Sequence, residues 1–386
     1  MVIADIAVIG AGMAGAGVAA ELAPHARLVL IERESQPGYH TTGRSAAVFA
    51  ESYGPAPIRA LTRASAAFFE APPAGFGPLL SPRGILMIAR ADQDAALADL
   101  IAEVSADLDV ARLDAAALRA RHPLLRPGYA VAGMEDPRGR DIDVAALHQG
   151  YLRALRSAGG TLVTRAEVTG LARRADAWRV ETTAGPLAAG IVVNAAGAWA
   201  DLLGQMAGAL RIGLQPKRRT ALIVPAPVGI DPAAWPITVD VEEQFYMKPD
   251  AGRLLISPAD ETPSPPCDAQ PEEIDIALAV DRVQRAFDLP VRRIETKWAG
   301  LRSFVTDKAP VCGFDPQAEG FFWLAGQGGY GIQTAPALSR LAACLLRGQD
   351  MPADIAAEGV RLDQLAPDRP SIAPVDAAIA PPVGAG

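Results

Sequence analysis

A glycine cluster near the start of the chain constrains the fold more than any other feature. It follows the short apolar run at residues 6–9, and the chain there reads Gly10-Ala11-Gly12-Met13-Ala14-Gly15. Such an apolar run predicts a buried strand, and glycines at this spacing allow a tight turn and close approach of the backbone to a pyrophosphate. A helix is expected over residues 14–22, with its free N–H groups directed at the phosphates. The pattern predicts a dinucleotide-binding unit, the simpler alternative being a glycine-rich helix start without a ligand.

An acidic residue at the end of the next strand favours the dinucleotide interpretation. The strand expected at residues 28–31 is followed by Glu32, 17 residues after Gly15. A carboxylate at this place can accept hydrogen bonds from both ribose hydroxyls of an adenosine. A second cluster, Gly326-Gln327-Gly328-Gly329-Tyr330-Gly331, is followed only by a single expected helix over residues 332–347 and by no acid-terminated strand. The chain is therefore expected to bind one dinucleotide rather than two.

The composition excludes several classes of protein. With 386 residues the chain is long enough for two domains or one large composite domain, and its net charge of −8 argues against nucleic acid as a partner. No apolar stretch is long enough to span a bilayer, and the apolar start lacks the basic segment of a signal peptide. The three cysteines and four histidines have no metal-ligand spacing, so no metal is expected. We expect a cytoplasmic protein and leave its oligomeric state open, a monomer included.

Alternating strand and helix patterns indicate a discontinuous α/β domain with a second domain inserted in it. Residues 143–157 have the periodicity of an amphipathic helix, and residues 161–164, 178–183 and 191–194 have the character of strands. A further helical stretch is expected over residues 92–121. We assign residues 1–85, 141–210 and 305–365 to the dinucleotide-binding domain. Residues 86–140 and 211–304 would form the inserted domain, and residues 366–386 are expected to be a flexible Pro/Ala-rich tail.

A segment rich in glycine, serine and threonine soon after Glu32 indicates a flavin rather than a nicotinamide. The isoalloxazine of a flavin dinucleotide extends back across the sheet and needs small residues against it. The segment reads Gln36-Pro37-Gly38-Tyr39-His40-Thr41-Thr42-Gly43-Arg44-Ser45-Ala46-Ala47. It resembles the flavin loop of the D-amino-acid oxidase superfamily of FAD-dependent amine oxidoreductases. The run Val193-Asn194-Ala195-Ala196-Gly197-Ala198-Trp199 resembles the second FAD contact of the same superfamily.

Within this superfamily the chain resembles the bacterial D-arginine dehydrogenases. The likeness covers residues 1–350 and is carried by the segments 215–219, 245–250, 298–304 and 327–334. It implies an α/β fold with a Rossmann-like FAD-binding domain of the glutathione-reductase type and an inserted α+β substrate domain built on an antiparallel sheet. It also implies that FAD is bound by Gly10, Gly12, Met13, Ala14, Gly15, Glu32, Arg33, Thr42, Gly43, Arg44, Ser45, Ala46, Ala47, Val168, Ala196, Gly197, Trp199, Gly328, Gly331, Ile332, Gln333 and Thr334.

The resemblance implies oxidative deamination of D-amino acids to imino acids, which water converts to 2-oxo acids and ammonia. A hydride would move from Cα to flavin N5, and the electrons would pass to an acceptor such as a quinone. An arginine fork fixes the direction as well as the distance of a carboxylate, so Arg302 is the expected clamp and Arg219 a second contact. Tyr246 is expected to meet the carboxylate, Tyr53 to close over the substrate, and Gly329 to offer its carbonyl to the amine.

Three positions depart from the arginine-type pattern and bear on the substrate. Val48 and Ala50 stand where those enzymes carry His and Thr, and Ile85 stands where they carry the Glu that meets the substrate guanidinium. No acid lies at residues 84–88 in any register. Because an apolar pocket disfavours a buried unpaired charge, these residues and Gln333 are expected to form a pocket for neutral or apolar rather than cationic side chains.

Three other functions are compatible with the same residues. A secondary-amine or glycine/sarcosine-type oxidase would produce hydrogen peroxide. A hydroxy-acid dehydrogenase would use the same carboxylate clamp, since the clamp recognises the carboxylate and not the amine. A subunit that binds FAD without catalysis is a further alternative, but it would have no use for Arg219, Tyr246 and Arg302.

Two features set expectations for the flavin itself. Some members of the superfamily attach their flavin to a cysteine, but Cys312 lies in an apolar run that predicts a buried strand. Non-covalent FAD is therefore expected. The loop 326–331 precedes a helix whose N-terminus is expected to lie against the flavin pyrimidine, where its partial positive charge would stabilise the reduced flavin. The two glycine clusters would then serve opposite ends of one FAD.

Overall fold

The computed structural model describes residues 2–372 and has an α/β fold built on two large β-sheets and one small sheet. In this part of the chain the strands, β1 to β20, are Val2–Ile9, Leu28–Ile31, Val48–Phe49, Leu80–Pro82, Ile85–Ala89, Ala111–Asp114, Ala132–Asp136, Arg140–Ile142, Thr161–Val163, Val168–Arg174, Ala177–Thr182, Leu187–Asn194, Gln215–Pro225, Ile237–Asp240, Tyr246–Asp250, Arg253–Ser257, Thr262–Pro263, Thr296–Phe304, Val311–Phe314 and Phe321–Ala325. The helices, α1 to α9, are Met13–Leu22, Ala56–Glu70, Asp94–Val104, Ala115–Arg121, Val144–Ser157, Ala200–Ala207, Glu273–Ala286, Ala335–Leu346 and Ala353–Ala357.

The first sheet forms the expected Rossmann-like layer. Its strand order is β10-β11-β12-β1-β2-β9, with β20 paired to β12 and to β19. The centre of the sheet is parallel. Strand β1 pairs in parallel with β12 and β2, and the parallel pairing continues from β2 to β9 and from β12 to β20. Strand β2 is buried along its whole length, as parallel strands covered on both faces are. Helix α1 contacts α5 and α8, and their apolar side chains share one core with β1 and β2.

Backbone conformation and close packing explain why glycine stands at positions 10 and 15. Gly10 has a φ of +98°, in the left-handed region that favours glycine. A Cβ on Gly15 would lie 1.8 Å from the carbonyl oxygen of Gly10, so any side chain there would separate α1 from the turn. The strand expected at residues 28–31 is confirmed, and the helix expected from residue 14 begins at Met13.

The second sheet supplies one wall of the site described below. Its order is β17-β13-β16-β15-β14-β5-β7-β6, with β18 also paired to β13, and β14 with β5 is its one parallel pairing among the described strands. Alternate residues of a strand point to opposite faces. One face, with Leu222, Met247 and Ile256, packs on α7. The other face carries Tyr246 and Leu255 in a separate core. The small sheet, β3-β8-β4, lies beside this second face.

The two large sheets take their strands from alternating segments of the chain. The first sheet uses three segments and the second sheet two, namely residues 2–31, 161–194 and 311–325, and residues 85–136 and 215–304. The segments of the first sheet fall within the residues predicted for the dinucleotide-binding domain, and those of the second sheet fall within the residues predicted for the inserted domain. The one exception is Ile85, which is predicted as the last residue before the inserted domain. The exact domain boundaries stay a prediction.

Most predictions of individual helices and strands are confirmed, but the long helix expected over residues 92–121 is wrong. The helix expected at residues 143–157 is α5, and the three strands expected after it are β9, β11 and β12. The helical stretch expected over residues 92–121 is instead two helices, α3 and α4, separated by the edge strand β6. Strand β6 pairs with β7, and the Asp114 side chain at its end accepts a hydrogen bond from Ala117 N. Edge pairing and this N-cap therefore override helical periodicity.

The beginning of the expected flexible tail is anchored. Arg369 is 4% exposed, and its guanidinium donates hydrogen bonds to both carboxylate oxygens of Asp307, at 2.7 and 2.8 Å. Ile372 packs into a core of the first sheet. The prediction of a tail from residue 366 is therefore wrong for residues 366–372, and the rest of it, 373–386, lies outside the described residues.

Residues 2–372 contain neither a helix suited to a membrane nor a cluster suited to a metal. None of the helices there combines the length and apolarity that crossing a bilayer requires. No three or more His, Cys, Asp or Glu side chains in the same range are grouped so that they could hold a metal ion. Cys267, Cys312 and Cys344 are free thiols.

Stability at acidic pH is expected to depend on His122. This histidine is 1% exposed, between the rings of Trp235 and Phe287, and burial lowers its pKa from 6.5 to about 4. Between these two values the unfolded chain binds a proton that the folded chain does not, so stability is lost as the pH falls. The free energy of unfolding should therefore fall between pH 7 and pH 5 in the wild type. In His122→Phe this fall should be smaller by about 2 kcal/mol, because the variant lacks the buried imidazole.

Urea unfolding at the two pH values measures this difference. His25→Gln is the matched control, because His25 is exposed, and it should follow the wild type. Equal pH dependence in His122→Phe and the wild type would contradict the assignment.

Candidate active site

A cavity of about 290 Å³ lies where the two large sheets meet. Gly12 and Glu32 line it at the carboxyl ends of β1 and β2, the edge at which open parallel sheets bind ligands. Arg219 and Arg302 line it from the second sheet. We call this space the cofactor cavity.

The N-terminus of α1 opens into the cofactor cavity. Its N-cap, Gly12, provides no side-chain cap, so the first N–H groups are not all satisfied by the protein's own side chains. Met13 N donates a hydrogen bond to Thr42 Oγ1 at 3.0 Å, which ties the later loop to the helix start. A helix N-terminus that faces a cavity is suited to phosphate groups.

Glu32 holds the glycine turn as well as lining the cavity. Its two carboxylate oxygens accept hydrogen bonds from Ala11 N at 2.8 Å and from Glu34 N at 2.9 Å. His148 of α5 contacts the same turn, with Nε2 2.9 Å from Ala11 O, and burial lowers the pKa of His148. This contact of His148 could not be predicted from the sequence, because its place in an amphipathic helix indicates only packing.

Arg44 connects the flavin loop to the second domain. It lines the cavity, but its Nη1 donates hydrogen bonds to Ala299 O at 2.8 Å and Ala269 O at 3.0 Å. Its Nη2 pairs with Asp268. The guanidinium is therefore committed to the protein, and the effect of Arg44 on the cavity is to fix the loop that forms its wall.

The second glycine cluster forms the opposite wall, and its glycines make room for protein groups. A Cβ on Gly328 would lie 2.0 Å from the Phe304 ring, and a Cβ on Gly329 would lie 2.9 Å from Arg302 Cζ. At Gly328 a side chain is excluded by the Phe304 ring and by a φ of +55°, whereas at Gly329 a side chain would displace the Arg302 guanidinium. The helix expected from residue 332 begins at Ala335.

Most residues expected to bind the cofactor line the cavity, namely Gly10, Gly12, Met13, Ala14, Glu32, Arg33, Thr42, Arg44, Ser45, Ala46, Val168, Ala196, Gly197, Trp199, Gly328, Gly331 and Ile332. Gly15 and Gly43 instead pack against backbone at Gly10 and Gly38. Thr334 Oγ1 donates a hydrogen bond to Tyr330 O. The last two, Ala47 and Gln333, line an adjoining pocket. For every residue expected to bind the cofactor, direct contact with it stays a prediction.

This adjoining pocket, of about 80 Å³, brings together every residue expected to act on the substrate. These are Arg302, Arg219, Tyr246, Tyr53 and Gly329, with Val48, Ala50, Ile85 and Gln333. The sequence analysis did not identify Met87, Ile237 and Val239, which complete an apolar wall. Seven residues line both spaces, with Arg219, Tyr246 and Arg302 among them, so the pocket adjoins the cofactor cavity there.

Strand register explains why the two arginines lie together. In the β13–β18 pair, Arg219 lies opposite Gly300 and Arg302 lies opposite Lys217. Residues directly opposite each other share a face of the sheet, as do residues two apart in one strand. Arg219 and Arg302 therefore point to the same side, the side on which Tyr246 packs.

Arg302 is the half-buried cation of the pocket. Among residues 2–372, no carboxylate oxygen lies within 4.0 Å of its nitrogen atoms. Burial disfavours its charge, but the attraction of Tyr53, Tyr246 and Glu243 outweighs burial, so the pKa of Arg302 is raised. A guanidinium in such a place is available to a carboxylate brought by a ligand.

Arg219 differs from Arg302 because the protein already satisfies part of its guanidinium. Its Nε donates a hydrogen bond to Asp260 O at 2.9 Å, and its Nη2 lies 3.3 Å from Glu261 Oε1. Glu261 also pairs with Lys217 at 2.8 Å. These contacts orient Arg219 and leave it less free than Arg302 to bind a ligand.

Glu243 is an acid in the pocket that the sequence analysis missed. It lies between β14 and β15, and its Oε2 accepts a hydrogen bond from the Tyr53 hydroxyl at 3.3 Å. Burial and then the charge of Glu243 raise the pKa of Tyr53. Glu243 lies far along the chain from residues 84–88, where the arginine-type pattern places its acid, and its sequence signal is its position just before Phe245-Tyr246.

Two buried polar atoms along these spaces have no hydrogen-bond partner within the described chain. Ser303 Oγ is next to Arg302 and lines the cofactor cavity, and Gln333 Nε2 lines the pocket. The Gln333 side chain accepts a hydrogen bond from Ala50 N at 3.2 Å through Oε1, which leaves Nε2 as a donor. Buried polar groups without a protein partner beside a cavity are available to a ligand or to water.

The chain belongs to the DAO family of FAD dependent oxidoreductases, whose family model matches residues 5–345. It is 25% identical to glycine oxidase of Geobacillus kaustophilus (strain HTA426) over 369 residues, which cover 91% of this chain and 95% of that protein. The superfamily expected from the flavin loop is thereby confirmed. The closer relation to D-arginine dehydrogenases stays a prediction.

Solved structures show the same fold. The crystal structure of glycine oxidase from Geobacillus kaustophilus has a TM-score of 0.80 at 24% identity and covers 94% of this chain and 99% of that chain. L-Proline dehydrogenase from P. horikoshii has a TM-score of 0.80 at 21% identity, covering 95% and 97%. L-α-Glycerophosphate oxidase from Mycoplasma pneumoniae, with FAD bound, has a TM-score of 0.80 at 18% identity, covering 90% and 95%.

FAD is the cofactor of this chain. The residues present fit it, because the helix N-terminus at Gly12, which has no side-chain cap, and Ser303, whose Oγ has no partner in the described chain, line the same cavity. Gly10, Gly12 and the start of α1 would hold the pyrophosphate, and Glu32 would face the adenosine ribose. The far end, near Arg302, would take the flavin ring.

The flavin is expected to be released by acid. Cys312 is 3% exposed on β19, burial raises the pKa of its thiol to about 12, and none of the three cysteines lines either space. A thiol of that kind is a poor nucleophile. Acid precipitation should therefore leave the yellow colour in the supernatant. Cys312→Ala should bind as much FAD as the wild type, and yellow colour that stays in the pellet of the wild type alone would contradict the prediction.

Proposed function

We propose that the protein catalyses FAD-dependent oxidative deamination of D-amino acids and favours neutral or apolar side chains over cationic ones. The observation that carries the proposal is Arg302, a half-buried guanidinium without a carboxylate partner in the described chain, in an apolar pocket beside the FAD cavity. Glycine oxidase and L-proline dehydrogenase, by their names, act on amino acids. We extend this substrate class to the present chain.

The substrate carboxylate is placed on Arg302. Arg219 and Tyr246 line the same two spaces and provide further contacts, and a two-pronged guanidinium fixes the direction of Cα as well as its distance. Gly329 packs on Arg302, so its backbone lies beside the bound carboxylate. The side chain of the substrate would then lie against Ile85 and the neighbouring apolar wall.

Bound FAD supplies the acceptor for the hydride that leaves Cα. The ammonium group of the substrate first releases a proton to water, and burial beside the apolar wall favours the resulting neutral amine. The lone pair of that amine forms the C=N bond as the hydride leaves. Water then converts the resulting iminium to the 2-oxo acid and ammonium. The protein's part is to orient the substrate and to surround Cα with an apolar wall.

The proposal extends to the electron acceptor and the location. We propose an acceptor such as a quinone in place of oxygen, and a cytoplasmic enzyme. A glycine/sarcosine-type oxidase is the main alternative, and it differs by the stoichiometric production of hydrogen peroxide.

A substrate panel tests the proposed function. With a dye as acceptor, kcat/KM for D-Leu, D-Met or D-Phe should exceed that for D-Arg about tenfold or more, because the pocket wall is apolar. Glycine, sarcosine, D-Pro, L-Pro and D-lactate cover the alternative classes. Each assay is run with and without oxygen, and peroxide is measured.

Glu243→Gln is the matched variant for this panel, because Glu243 is the acid that lines the pocket. If D-Arg is the best substrate and loses its advantage in Glu243→Gln, the preference for neutral side chains is refuted. Absence of turnover with every amine and amino acid would refute the proposed function as a whole.

The two arginines are expected to contribute unequally. Arg302→Gln should lower kcat/KM about 100-fold or more, equivalent to about 2.7 kcal/mol, since it removes the cation without a carboxylate partner. Arg219→Gln should lower it only about tenfold, because Asp260 and Glu261 already occupy part of its guanidinium. Steady-state kinetics on the best substrate of the panel measure both. Equal losses, or a larger loss in Arg219→Gln, would contradict this order.

A further inference from the structure

A buried lysine lies directly behind the flavin loop. Lys248 is 8% exposed, and its Nζ donates hydrogen bonds to Ala46 O and to Asp141 Oδ1, each at 2.7 Å. A buried ammonium group is costly unless it is paired and hydrogen-bonded. Here one bond reaches a carboxylate of the small sheet, and the other reaches the backbone of the loop.

The lysine comes from the sheet that carries the substrate-binding residues. Lys248 and Tyr246 are two apart in β15, so they point to the same face of the second sheet. Tyr246 reaches both the cofactor cavity and the pocket, whereas Lys248 lines neither. Its direct contact with a residue that lines the site is the hydrogen bond to Ala46 O, and its other partner, Asp141, lies opposite Val48 of the pocket in the β3–β8 pair.

The loop needs to be held at this point. Ala46 lines both the cofactor cavity and the pocket, and the next residue, Ala47, has a φ of +38°. A residue with a Cβ adopts that conformation only with strain. Two other contacts support the turn, since Ala47 N donates to Ser45 Oγ at 3.0 Å and Ile142 N donates to Ala47 O at 3.1 Å. Lys248 is the only contact from the second sheet among these three.

We propose that Lys248 is a positioning residue that fixes the Ala46 carbonyl, and through it the boundary between the flavin site and the substrate pocket. Its ammonium group ties together the flavin loop, the small sheet and the strand that carries Tyr246. The bond to Asp141 keeps the ammonium aimed at Ala46, while Arg83 Nε donates to the other oxygen of Asp141 at 2.7 Å.

Arg83 provides a matched control. It pairs with the same carboxylate and bonds the carbonyl oxygens of Ala233 and Trp235, but it does not contact Ala46. Arg83→Gln therefore removes a partly buried ion pair of the same network without releasing the loop. A purely structural role for Lys248 predicts that Lys248→Met and Arg83→Gln behave alike.

The test compares Lys248→Met, Lys248→Arg and Arg83→Gln in the full-length protein with FAD. In Lys248→Met, the visible absorption bands of bound FAD should shift, its dissociation constant should rise about tenfold, and kcat/KM should fall about 10- to 100-fold. Lys248→Arg, which keeps a charged donor, should recover most of each. Arg83→Gln should lower the melting temperature but keep the wild-type flavin spectrum and FAD affinity.

A wild-type flavin spectrum and FAD affinity in Lys248→Met would overturn the proposal, and so would the same changes in Arg83→Gln. If Lys248→Met does not fold, Lys248→Gln replaces it, because its shorter neutral side chain also loses the ion pair. The kcat/KM measurement rests on the proposed function, because that function determines which substrate is used. The spectrum and FAD affinity need no substrate, so a failure of that function and a failure of this proposal can be told apart.

Discussion

The contact between residues 41–46 and the second sheet determines the rest of the site. Thr41 Oγ1 donates a hydrogen bond to Leu301 O at 2.7 Å, and Arg44 Nη1 donates one to Ala299 O at 2.8 Å. Both acceptors are carbonyls of β18, the strand that carries Arg302. The loop belongs to the FAD-binding layer by sequence and bonds the start of α1 through Thr42, yet these two hydrogen bonds also fix it to the second sheet. The cofactor cavity and the pocket exist only where these two parts meet, so their shapes depend on this contact.

Side chains alternate between the two faces of the second sheet, and this alternation brings its functional side chains to one face. One face of β13, β15 and β18 packs on α7, and the other face presents Arg219, Tyr246 and Arg302 to the flavin loop. A shift of one residue in the register of β18 would turn Arg302 into the wrong core. The pairing of β13 and β18 runs from Gln215 to Ile223, which is a long register for one pair. Its length stabilises the placement of the guanidinium as well as the sheet.

Features encoded within a short stretch of chain could be predicted from the sequence. The strand at residues 28–31, Glu32 after it and the helix from Met13 follow from local periodicity and turn chemistry. Glu243 could not be found in this way, because it reaches the pocket only after β14 and β15 pair. The commitment of Arg44 to carbonyls more than 200 positions away is likewise invisible in the sequence. The edge strand β6 was missed for the same reason, since β7 is its partner.

The charges that line the pocket argue for one anionic group in the ligand. Arg219 and Arg302 carry two positive charges and Glu243 one negative charge, so the lining alone is positive by one unit. A single carboxylate neutralises it, and Arg302 is the place where the protein leaves that charge unpaired. A cationic side chain would restore the excess charge beside Ile85 and Met87, in a low-dielectric wall where it is costly. Glu243 uses only Oε2 for its hydrogen bond to Tyr53, so its other oxygen stays free to face a cation, and the physical reason to expect a neutral substrate side chain is the apolar wall at Ile85 and Met87.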